Sequence, residues 1–140
     1  MERQERREQI LNILAAGIRK VLLNTVPKPE ELQEIRMRLG QPLRVVRGKE
    51  EIVLRSGTEP YIVTKEELRE TMDYISHYSL YAYENELRQG FVTVEGGHRV
   101  GVAGKVIMEK ERVKNIQYIS SLNIRVSHEV LGCADRLIPY

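Results

Sequence analysis

Phe91-Val-Thr-Val-Glu-Gly-Gly-His-Arg-Val-Gly-Val-Ala-Gly-Lys-Val-Ile-Met108 reads as two β-branched runs joined by Glu95-Gly96-Gly97, and so predicts a β-hairpin. Gly101 and Gly104 fall inside the second run. Glycine within a strand marks a bulge, a bend or the close approach of another backbone. The segment also tempts a phosphate-loop reading, because glycine amides and a lysine can cradle phosphate. The spacing rejects it. A Walker loop ending at Gly104-Lys105 needs glycine where Arg99 stands and a hydroxyl residue where Val106 stands. Gly101-Val-Ala-Gly104 spells the GXXG of a KH loop, but that loop joins helices and these flanks are strand-like.

Upstream of the hairpin the period changes. Thr64-Lys-Glu-Glu67 is a capping box, and Leu68, Met72 and Ile75 follow at helical spacing, which predicts a helix over about 65–76. A bend near His77 and Tyr78 leads to a further helix that Ser79 can cap, with Leu80, Tyr83 and Leu87 on one face and Gly90 at its left-handed end. Ile35, Met37 and Leu39 alternate with Glu34, Arg36 and Arg38 as in a strand with one wet face. Short strands are expected over 43–46, 52–54 and 61–63, separated by Gly48 and Ser56-Gly57. At the start, Ile10, Leu14, Ile18 and their neighbours predict one helix over about 3–24. Pro27 and Pro29 end it, and Pro29-Glu30-Glu31-Leu32 reads as a helical turn. Beyond the hairpin, a charged turn spans Glu109 to Arg112, and Ser121-Leu-Asn-Ile-Arg-Val126 alternates as a last strand.

The expected fold class is therefore α+β: an N-terminal helix, a small mostly antiparallel sheet, two to three packed helices and the Gly-rich hairpin. The expected boundaries are an N-terminal helix over 1–28, an α/β core over 29–128 and a connector over 129–140. A chain of 140 residues can bury roughly two-thirds of its unfolded surface, which suits one domain. The net charge of +2 lacks the basic excess of a dedicated nucleic-acid binder. Cys133 is the single cysteine, which excludes an intrachain disulfide and cysteine-rich zinc sites. The N-terminal residues lack the apolar run of a signal peptide, so a cytoplasmic location is expected.

No complete catalytic constellation emerges. His128 and Cys133 lack a third group to activate a thiol, Glu84 and Glu86 form no recognisable acid/base pair, and His77, His98 and His128 have no metal-ligand spacing. Arg36, Arg38, Arg44 and Arg47 can form a basic face, or a solvated sheet face; Tyr74, Tyr78, Tyr81 and Tyr83 can stack on bases, or pack between helices. A nucleic-acid binding module built on these two sets is the alternative reading of the chain.

The run from Ile75 to Lys105, with Ile119-Ser-Ser-Leu-Asn-Ile-Arg-Val126, Gly132-Cys-Ala-Asp135 and Glu34-Ile-Arg-Met-Arg-Leu-Gly-Gln-Pro-Leu43, resembles the stage III sporulation protein AA family over about residues 30–140. That family is similar to secretion ATPases, in which an N-terminal α/β domain precedes a RecA-like P-loop motor that forms hexamers. The resemblance implies that this chain is the non-catalytic N-terminal part, serving assembly and regulation, and that ATP and Mg are cofactors of the full-length protein rather than of this chain. Its implied partners are its own motor domain, neighbouring subunits of a homo-hexamer and membrane proteins of the channel between mother cell and forespore, on the mother-cell side; nucleic acid is not among them. It also implies that arginines of this domain reach the ATP phosphates, and Arg125, in the last strand, and Arg99, beside the hairpin turn, are the candidates.

Overall fold

The computed structural model describes residues 8–26, 31–77, 80–109 and 112–127. In chain order its helices are α1 (residues 8–12), α2 (Ala16–Thr25), α3 (Lys65–Ile75) and α4 (Glu84–Gln89), with a 3₁₀ turn at Leu80–Tyr83. Its strands are β1 (Leu32–Arg38), β2 (Arg44–Arg47), β3 (Glu50–Val53), β4 (Arg55–Ser56), β5 (Glu59–Pro60), β6 (Phe91–Val94), β7 (His98–Glu109) and β8 (Arg112–Arg125). Six of them form one sheet in the order β3-β2-β1-β8-β7-β6, and β4 and β5 pair separately. Every pairing is antiparallel. The expected α+β class is what the chain adopts.

Alternation decides which side of the sheet is covered. Ile35 and Met37 of β1, Val45 of β2, Leu122 and Ile124 of β8, Val100 of β7 and Val92 of β6 are fully buried in one cluster with Leu14, Ile18, Leu22, Leu68, Met72 and Ile75 of the helical segments. All the described helices lie on that side, and the residues between these apolar ones face away from it. Leu32 joins the core three residues before Ile35 because a bulge between Leu32 and Glu34 restores the alternation.

Several local expectations are met. The capping box forms in full: the Thr64 hydroxyl accepts from Glu67 N at 3.2 Å while Glu67 accepts from Thr64 N at 2.9 Å. His77 turns the chain with φ of 51°, and Gly90 ends α4 in the left-handed region at φ of 87°. Val94 pairs with His98 across the turn, where Gly96 and Gly97 both hold positive φ. Gly104 lies at a register shift of β7 against β8, and a Cβ there would press on the Tyr118 carbonyl.

Others are corrected. The single helix expected over 3–24 is broken at residues 13–15, and its first residues lie outside those described. The amides of Ala15 and Ala16 donate instead to α3, to Thr71 Oγ1 at 3.0 Å and Glu70 Oε2 at 2.8 Å. Arg19 caps the carbonyls of Leu11 and Leu14. Gly17 lets α2 sit close to Tyr61, whose hydroxyl would be 2.6 Å from an added Cβ. Of the helical turn expected over Pro29 to Leu32, Pro29 and Glu30 lie outside the described residues, Glu31 is in a 3₁₀ turn and Leu32 opens β1. Leu39 follows the end of β1 and is 42% exposed, because Gly40 reverses the chain there. Residues 61–63 form no strand: Tyr61 and Val63 bond to Leu43, Leu54, Gly40 and Gln41, which leaves one bridge between Pro42 and Ile62. The last strand starts at Arg112 rather than at 121, three register shifts having broken its alternation. Between α3 and α4 the helix expected from 79 starts as the 3₁₀ turn. Ser79, Tyr78, His128 and Cys133 lie outside the described residues.

Candidate functional site

Register places Arg99 of β7 directly opposite Arg125 of β8, and Arg125 directly opposite Glu34 of β1. The three residues share a row across the face of the sheet away from the described helices. Both arginines are exposed. Like charges facing one another across a strand pair oppose folding, so packing gives no reason for this rung. Arg99 is held from the side by Phe91, its guanidinium carbon 3.8 Å from the ring centroid. Phe91 stands opposite Gly101, so no side chain competes for the ring's place.

Glu34 is the acid of the row. Its side chain is 13% exposed. Partial burial works to raise its pKa, but a hydrogen bond with Asn123 and the charges of Arg36 and Arg125 outweigh this and hold the carboxyl below its usual value. Arg36 bonds Glu34 at 3.1 Å and also Glu51, and Arg44 bonds Glu51 at 3.0 Å. Half-buried Arg36 has its pKa raised by the bond to Glu34 and by that carboxylate's charge. Arg36 and Arg44 are thus paired with acids of their own sheet. Arg38, Arg99 and Arg125 form no ion pair with a described residue.

Beside the Arg99–Arg125 rung the face sinks into a groove of about 460 Å³. Its floor is the next two rungs, Gly101 with Asn123 and Ala103 with Ser121, and Arg36 and Arg38 border it. Neither Arg99 nor Arg125 lines that groove; as arginines opposite each other on neighbouring strands they can offer an oxyanion charge-assisted hydrogen bonds. Among the described residues no three His, Cys, Asp or Glu side chains gather as metal ligands.

The other candidates do not converge here. Arg47 lies at the end of β2 on the parity of buried Val45, away from this face. Tyr83 packs against the helix-covered core and Tyr74 donates to Glu70 at 3.1 Å, so these tyrosines lie across the sheet from the arginines. His98 is buried, and its Nδ1 accepts from Ser127 N at 2.9 Å. Glu86 accepts from Thr93 N, an end-of-strand contact. Sequence reasoning missed Glu34, Phe91 and Asn123 as companions of the two arginines. The signal that unites them is register across strands far apart in the chain, which no local pattern carries.

No described helix is long and apolar enough to cross a membrane. No solved structure matches the chain. Stage III sporulation protein AA of Bacillus subtilis (strain 168) is 36% identical over 134 residues, which cover 94% of this chain. The match spans 42% of that relative's length. The family described as Sporulation stage III, protein AA, matches residues 4–140. On both grounds the chain belongs to the Sporulation stage III, protein AA family.

Proposed function

We propose that this chain acts in sporulation as the non-catalytic N-terminal domain of a secretion-type ATPase, and that its open sheet face meets the nucleotide held by a following P-loop motor. The observation that carries the reading is the Arg99–Arg125 rung: two exposed arginines directly opposite each other in register, one with its guanidinium stacked on Phe91, with no described carboxylate bonded to either. Such a pair costs folding energy unless an anion neutralises it. A polyphosphate presents oxyanions that guanidinium forks match.

In this reading Arg125 and Arg99 bind γ- or β-phosphate oxygens and stabilise charge that develops there during phosphoryl transfer. Glu34 restrains Arg125 from the other side and keeps it from collapsing onto the groove. Magnesium would be bound by acids of the motor. Assembly into a homo-hexamer on the mother-cell side of the membrane, against channel proteins, completes the proposal. The acid-paired Arg36 and Arg44, with Tyr74 and Tyr83 on the opposite side of the sheet, weigh against the nucleic-acid module.

The test is ATP turnover by the full-length protein. Arg125→Ala is expected to lower kcat by at least about tenfold, since a transition-state arginine contributes more than that in phosphoryl transfer. The isolated 140-residue domain carrying the same change is expected to unfold at an unchanged or higher denaturant midpoint. Unchanged turnover overturns the assignment of this residue.

A further inference from the structure

The hairpin of β1 and β2 opens a small pocket at its turn. Gln41 N donates to the Arg38 carbonyl at 3.0 Å and Gly40 holds a positive φ, so the chain reverses at once. Arg36 and Arg44 are direct partners in the ladder, which sets like charges opposite one another. Glu51 offsets this by giving one carboxylate oxygen to each guanidinium. Two residues on, Arg38 has no such acid among the described residues, and the turn sets it beside uncharged Gln41 and Pro42. The pocket that these six residues line holds about 140 Å³.

Glu51 is an internal example of what this pocket selects, an oxyanion shared between two guanidiniums. Arg36 is occupied by Glu34 and Glu51. Arg44 gives one nitrogen to Glu51 and keeps further donors, since a guanidinium carries five N–H groups. A second oxyanion can therefore bridge Arg38 and Arg44, with the Gln41 amide as a third donor. The volume is well below the roughly 300–1,000 Å³ of sites that enclose whole small molecules, and suits one phosphate group.

Apolar side chains flank the pocket. Leu39, in the turn itself, is 42% exposed, and Ile62, bridged to Pro42, is 46% exposed although its neighbour Val63 is buried. Tyr118, the third exposed large apolar residue among those described, stands two residues before Ser120, whose carbonyl accepts from Leu39 N at 2.9 Å. Such residues scattered singly mean nothing, but here they collect beside guanidiniums at one end of one face. A free phosphate makes no use of them. An anionic bilayer answers both features, with headgroup phosphates at its surface and acyl chains a few ångströms deeper.

We infer that this end of the sheet is a lipid-binding patch, in which the Arg38–Arg44 pocket takes the phosphate of an anionic phospholipid headgroup while Leu39 and Ile62 enter the outer acyl layer. Arg125 pairs with Glu34, four residues and roughly 13 Å from Arg38 along β1, so the patch leaves the Arg99–Arg125 rung accessible. It does not depend on the nucleotide chemistry proposed above.

Co-sedimentation of the 140-residue chain with vesicles tests it. Vesicles of equal parts phosphatidylglycerol and phosphatidylcholine are expected to carry the chain down, phosphatidylcholine alone is not, and high salt is expected to weaken the binding. Arg38→Glu is expected to bind at least about tenfold more weakly, because one basic residue at such a surface contributes about fivefold and here its charge is reversed. Leu39→Ser/Ile62→Ser is expected to lose about tenfold through apolar burial. Lys20→Glu makes the same charge change on exposed α2, on the helix-covered side, and is expected to bind like the wild type. Urea midpoints matching the wild type show that the variants are folded. No binding to the anionic vesicles, Arg38→Glu no weaker than Lys20→Glu, or a double variant that binds like the wild type overturns the inference. So does either of two outcomes without vesicle binding: inorganic phosphate that raises the urea midpoint of the wild type and not of Arg38→Glu, which gives the pocket to a small anion, or Arg38-dependent binding of polyglutamate, which gives it to an acidic protein.

Discussion

Gly104 and Gly101 sit three residues apart in one strand and meet different surroundings. A Cβ on Gly104 would press on the Tyr118 carbonyl and lie 3.0 Å from Ile119 Cα, both main-chain atoms that cannot swing aside. A Cβ on Gly101 would find its nearest neighbours, Asn123 Cβ and O, at 3.9 Å, an ordinary contact. Gly104→Ala is therefore expected to lower stability by ~1–3 kcal/mol, as overpacking does. Gly101→Ala is expected to be neutral or to add up to ~1 kcal/mol, since glycine is a poor strand residue. Urea midpoints of the two variants check the contrast, and equal losses would contradict it. The sequence flagged both glycines alike, because one residue's identity does not say which side of a pleat another backbone occupies. Arg99 and Arg125 were legible as candidates, but only the pairing of β7 with β8 shows that they are neighbours. Phe91 and Glu34 carried no sign of their part, the one reading only as the start of a strand and the other as a wet-face acid.

Elements whose signals are local were the ones visible in advance. The box of Thr64 and Glu67 lies within one turn, so the start of α3 could be read directly. The break between α1 and α2 could not, because the groups that accept from Ala16 and Ala15 lie 54 and 56 residues away. Ile10, Leu14, Ile18 and Leu22 keep helical spacing across it and all are buried, so the period conceals the interruption. What sustains the break is the reach of α3: Thr71 is fully buried and its hydroxyl receives an amide that would otherwise have no acceptor. Thr71→Val keeps the shape and removes the acceptor. It is expected to cost ~1–3 kcal/mol, the penalty of an unsatisfied buried amide, and to speed hydrogen exchange at Ala15. Wild-type exchange at that amide would show that the helix junction does not rely on Thr71. Tyr61 reinforces the junction by donating to Glu67. Burial first, then that bond and the Glu67 and Glu70 charges, raise its phenol well above the usual value.

At the scale of the whole molecule, the sheet is two meanders, β1-β2-β3 and β6-β7-β8, joined by the pairing of β1 with β8. These strands are separated in the chain by both later helices, so the seam is a non-local contact, and a sequence of alternating segments leaves its position undetermined. The class was legible because alternation and capping are local; the order of strands was not. Glu34 sits on the seam, opposite Arg125 and bonded to Arg36, and it is the acid that offsets the positive rows on either side. Its carboxyl titrates below the ordinary 4.5 in the folded chain, so folding favours its charged form. The sign follows: this contribution is complete above the unfolded chain's pKa and disappears as pH falls through the lower folded value. Wild-type stability should therefore drop between about pH 5 and pH 3 by more than that of Glu34→Gln, which is already neutral. At pH 7 the variant should be the less stable of the two, and the gap should close on acidification as the wild type loses the counter-charge to Arg36 and Arg125 that the variant lacks at every pH. Denaturant midpoints measured at pH 7, 5 and 3 decide it: a gap that stays constant would place the acid-sensitive group elsewhere than the seam.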